Sequence, residues 1–123
     1  MRPAPALLRL LLATALLSGC NRSAESRRLL AGGWAPPGAA CDSHGGVFYD
    51  KGGAWAGENV AGQWTLDGDR LTTSVTERGG FDRPARKVSG EPPSTATILS
   101  LSQTGLTLRL ADGSTQTLQR CRP

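Results

Sequence analysis

Histidine is nearly missing from this chain: His44 is the single one among 123 residues. That scarcity removes the commonest route to acid–base catalysis near neutral pH, where an ordinary histidine titrates. Its neighbours Asp42 and Ser43 supply the residue types of a hydrolytic triad. Side chains of adjacent residues diverge, however, and both read as turn hydrogen-bonders, so no catalytic residue is expected. Cysteine is scarce too. Cys20, Cys41 and Cys121 show no Cys-x-x-Cys spacing, and His44 stands three residues from Cys41 without two further ligands for zinc. Asp67 and Asp69 flank Gly68, and two carboxylates are too few for a calcium cage. Gly45-Gly46 and Gly52-Gly53 lack the strand-to-helix setting of a phosphate loop. No metal and no other cofactor is expected. A long apolar run is also missing. Residues 6–17 are apolar except for Arg9 and Thr14, shorter than the roughly 20 residues of a membrane span. No segment after residue 28 shows helical periodicity.

What is present starts at the amino terminus. Met1 and Arg2 precede the apolar stretch, and the small residues Ser18 and Gly19 follow it, the order of a secretory signal peptide. On residue pattern alone, an ordinary cleavage near Gly19 leaves Cys20 free. Leu17-Ser18-Gly19-Cys20 resembles the bacterial lipobox, in which the cysteine receives a diacylglycerol thioether, the preceding peptide is removed and the new amino terminus is acylated. The resemblance implies a membrane partner through a lipid anchor on Cys20. Asn21, in place of the aspartate that favours inner-membrane retention, implies the outer membrane of a bacterial cell envelope, facing the periplasm. Several acyl chains anchor firmly where one binds marginally.

Removing residues 1–19 leaves 104 residues, enough for one small domain. The whole chain carries net charge +4; without Arg2 and Arg9, 12 basic residues face 10 acidic ones, near +2. Such a mild excess does not call for nucleic acid, and the clusters Arg27-Arg28 and residues 83–87 read as solubility charge. With Cys20 lipidated, Cys41 and Cys121 remain, and two cysteines in an exported small domain read as one disulfide.

Residues 20–28 are polar and read as a tether, with the folded domain over residues 29–123. Short β-rich runs alternate with turn residues: Gly45-Gly46, Lys51-Gly52-Gly53, Asp67-Gly68-Asp69, Gln103-Thr104-Gly105 and Asp112-Gly113. Strands are expected at residues 29–35, 46–50, 54–60, 62–66, 70–78, 95–102, 106–111 and 114–121. Leu106, Leu108 and Leu110 alternate with Thr107 and Arg109; Leu71, Thr73 and Val75 alternate with Thr72, Ser74 and Thr76. Period two means one buried and one wet face. Residues 79–94 read as a long loop or lid, with a short edge strand at 86–89. Eight hairpin-linked strands predict an all-β fold, a small antiparallel up-and-down β-barrel closed to remove its edges.

Leu30-Ala31-Gly32-Gly33-Trp34 resembles the Gly-x-Trp that opens the first strand of lipocalin-like and avidin-like barrels. Residues 62–72, Gly-Gln-Trp-Thr-Leu-Asp-Gly-Asp-Arg-Leu-Thr, resemble a hairpin of small bacterial lipocalin-like proteins. The resemblance implies that Trp34 plugs the closed end of the barrel and that Trp64 packs an inner face. The chain lacks a true lipocalin's length and the polar constellation with which avidins hold biotin. Fold carries over better than ligand.

The expected function is non-catalytic: a lipid-anchored, monomeric binding protein for a small apolar ligand or another envelope protein. A protease or lysozyme inhibitor and a structural envelope lipoprotein are the alternatives. Contact is expected at the aromatic hairpin of Phe48, Tyr49 and Trp55, or at Phe81 and Arg83 in the long loop.

Overall fold

The computed structural model describes residues 24–41 and 45–121. Residues 1–19, Cys20, Asn21, Asp42, Ser43 and His44 lie outside that set. The described chain forms one short helix, α1 (residues 24–30), then β1 (Gly32–Ala35), β2 (Val47–Tyr49), β3 (Ala54–Gly57), β4 (Val60–Asp67), β5 (Arg70–Arg78), β6 (Arg86–Lys87), β7 (Ser94–Leu101), β8 (Gly105–Arg109) and β9 (Thr115–Arg120). The order β4-β3-β2-β1-β9-β8-β7-β5 returns to β4 through the β4–β5 pairing. Eight antiparallel strands thus close into a barrel, and closure leaves no long edge unpaired. The two-residue β6 pairs with the end of β5 outside the ring.

Two sequence expectations are corrected at the amino-terminal end of the domain. Residues 24–28, read as tether, are helical, and Leu29 and Leu30 belong to α1 rather than to the first strand. The helix is short, and it is held by packing. Leu30 is fully buried against the barrel and Trp34 donates its indole N–H to the Leu30 carbonyl at 2.8 Å. A short helix is marginal in water without such contacts.

The inward positions follow period two. Trp34, Tyr49, Trp64, Leu71, Leu106, Leu108 and Leu118 join Leu30 in the core, while Thr107, Arg109 and Phe48 point away from it. In β7 the register shifts between Ile98 and Ser100, so Ile98 and Leu101 both pack on the core and Leu99 is left outside, 43% exposed.

Cys41 and Cys121 form a disulfide across 80 residues. A loop of that size contributes about 4 kcal/mol in the chain-entropy account. The bridge lies on the outer wall: Cys121 follows β9, bonds through its N–H to the Gly33 carbonyl at 2.8 Å, and neighbours the outward faces of Gly33 and Phe48.

Candidate functional site

One end of the barrel is shut. Trp34 is fully buried there, and the Arg120 guanidinium lies over its ring, 4.1 Å from the centroid. Arg120 donates to the carbonyls of Ala31 at 2.8 Å and Gln103 at 2.7 Å, and to that of Leu29. It therefore satisfies carbonyls at the end of α1 that have no helical partner. Gly32 makes the arrangement possible: its φ of 126° suits glycine, and a Cβ would collide with the Arg120 Nη1. Trp64 is anchored beside this floor, its indole N–H donating to the Asp50 carbonyl at 2.7 Å, with Arg27 of α1 above its ring.

Above the floor the barrel holds a cavity of about 480 Å³. That volume falls within the range of small-molecule sites. Its walls come mainly from inward apolar residues: Val47, Trp55, Leu71, Ala96, Leu108 and Leu118. Thr73 adds a hydrogen-bonding group to the wall, and the exposed Ser94, Ala111, Asp112 and Gln116 stand at the rim. Tyr49 bounds the cavity and is only 5% exposed; its ring meets Trp64 edge-on with centroids 5.7 Å apart. Burial pushes the Tyr49 phenol up to about 12, so it stays protonated and neutral.

Trp55 owes its position to a gap in the neighbouring strand. Its indole N–H reaches over Gly62 to the Ser74 carbonyl at 3.0 Å. A Cβ on Gly62 would overlap that carbonyl oxygen and crowd the indole nitrogen. The β4–β5 register shift between Ala61 and Gly62 lies at the same point.

The aromatic hairpin is thus divided by the pleat. Tyr49 and Trp55 line the lumen, whereas Phe48 sits on the outer wall by the disulfide, 51% exposed. Phe81, 63% exposed, and Arg83 lie in the long loop, whose residues 79–93 do not line the lumen, while Ser94 at its end stands at the rim. The loop joins β5 to β7 at the open end of the barrel, where it is fastened to the β3–β4 turn. Asn59, with φ 56°, accepts the N–H groups of Phe81 and Asp82 at 3.2 Å, and Gly79 donates to the Asn59 carbonyl. Further along, Arg78 grips Glu91 through two hydrogen bonds of 2.8 and 2.6 Å, which hold the Glu91 carboxyl below its ordinary value. A cleft of about 160 Å³ separates Arg78, Arg83 and Arg86 from Asn59.

Thr73, Ala96, Gln116 and Leu118 were legible only as inward positions of their strands. Arg120 carried no signal beyond its place near the end of the chain. The chain matches no protein-family model, no curated protein and no solved structure.

Proposed function

We propose that this protein is a lipid-anchored, non-catalytic binding protein of the bacterial cell envelope that holds a small apolar molecule in its barrel. Cys20 is the anchor in this reading, through the resemblance of residues 17–20 to the lipobox, and the outer membrane facing the periplasm is the expected location. The observation that supports binding is the lumen itself: about 480 Å³, apolar-walled, shut at the Trp34 end and open at the Asp112 end. Side chains long enough to fill it are missing from key inward positions, where Ala96 and Thr73 stand.

The test uses the full chain carrying Cys20→Ser, exported so that Cys41 and Cys121 pair. Titration with the apolar reporter N-phenyl-1-naphthylamine is expected to give saturable, one-to-one fluorescence enhancement. Ala96→Trp, which puts an indole into the lumen, is expected to remove that signal while circular dichroism stays that of the barrel. Equal enhancement by both proteins would place the dye elsewhere and defeat the reading. A second reading, the inhibitor, draws on the exposed Phe81 beside Arg83 in the long loop.

A further inference from the structure

We infer that the lumen takes an apolar chain bearing an uncharged hydrogen-bonding head and rejects the corresponding carboxylate. The inference rests on the binding reading above and adds the chemical class of the ligand.

The charges around the cavity are the first ground. No lysine or arginine is among the described residues that line it, and the only charged one is Asp112 at the rim. Asp112 accepts from the Ser114 N–H at 2.9 Å and the Ser114 hydroxyl at 2.6 Å, contacts that favour its ionised form. An entering carboxylate would shed water beside a like charge and find no cation to replace that water. No described arginine at either end of the barrel lines the lumen. Arg120 lies beneath the floor, spread over Trp34 and bonded to three carbonyls. Arg78, Arg83 and Arg86 border a separate cleft at the open end, where Arg78 is held by Glu91.

The second ground is Tyr49. Its side chain bounds the cavity and is 5% exposed, and its phenol is shifted by burial alone. A neutral phenol in apolar surroundings gains from a hydroxyl or carbonyl partner, and an uncharged head provides one without the cost of burying charge. Thr73 and Gln116 give the same kind of head a second set of partners.

The experiment displaces N-phenyl-1-naphthylamine from the full-length Cys20→Ser chain with 1-decanol and with decanoate. It is run at about pH 8, where decanoate is ionised. Decanol is expected to compete at least about tenfold more tightly than decanoate. Asp112→Asn is expected to narrow that gap, and Tyr49→Phe to weaken decanol while the reporter still binds. Equal affinities, or tighter decanoate, overturn the inference and leave the binding reading in place. Failure of the reporter itself to bind removes the binding reading as well. An unchanged gap in Asp112→Asn overturns the part given to the rim carboxylate.

Discussion

Tyr49 is the chain's only tyrosine, so its ionisation is directly visible in the ultraviolet absorbance of tyrosinate. Burial raises its pKa from 10.0 to about 12. The folded state therefore holds the phenolic proton more tightly than the unfolded state does. The resulting stabilisation is fully present below about pH 10 and is lost as pH rises toward about 12. A shift of that size corresponds to about 3 kcal/mol. Alkaline titration is expected to give a midpoint near 12 for the native protein and near 10 in denaturant. A native midpoint near 10 would mean that the hydroxyl is bathed in water and that the lumen is wetter than its walls indicate. At this scale the sequence spoke through residue type. Trp34 and Trp64 announced themselves as core by their bulk and their places in strands, and both are buried. Arg120 did not, because its role depends on Trp34, Ala31 and Gln103, which only the closed barrel brings together.

Strand β4 turns on a residue with no side chain. Gly62 lets the Trp55 indole cross to the Ser74 carbonyl, and the register shifts beside it. Gly62→Ala forces a methyl into that carbonyl and is expected to cost about 3 kcal/mol or more, at the upper end for overpacking. Denaturant unfolding followed by fluorescence checks the value; Gly62 is not among the positive-φ glycines, so the loss reads the clash rather than backbone strain. A loss well under about 1 kcal/mol would show that the strands give way to the methyl. Strand positions were legible because alternation survives in β5 and β8: residues 70–78 were read to the residue, and Leu106 and Leu108 are both buried. Alternation fails in β7, where Leu99 and Leu101 share a parity but lie on opposite sides of the wall. A bulge there keeps the hydrogen bonds of the ladder while inserting one residue, and nothing in residues 98–101 marks it. Helix α1 was missed for a related reason. Seven residues carry too little periodicity, and what fixes them is the floor beneath.

At the scale of the whole molecule the two ends of the barrel differ, and α1, the described element that follows the proposed anchor in sequence, lies at the shut one. Arg27 lies over the Trp64 ring and Leu30 packs beside Trp34, so α1 spans the closed end. Cys20 precedes the helix by four residues, a covalent reach of at most about 14 Å. Strand β8 links the two ends, with residues 102–104 near Arg120 and residues 110–114 at the mouth, about 15 Å apart along the strand. With lipid on Cys20, as proposed, the floor is expected to face the bilayer and the mouth to face away from it. A ligand is then expected to enter from the aqueous side or from a partner rather than from the supporting leaflet. Fluorophores attached at Thr104→Cys and Thr115→Cys of the lipidated chain, reconstituted in vesicles containing a headgroup-labelled quencher, separate the two orientations. The Thr104 position is expected to be quenched the more strongly. Stronger quenching at Thr115 would bring the mouth onto the membrane, and exchange with the supporting bilayer would become the direct route.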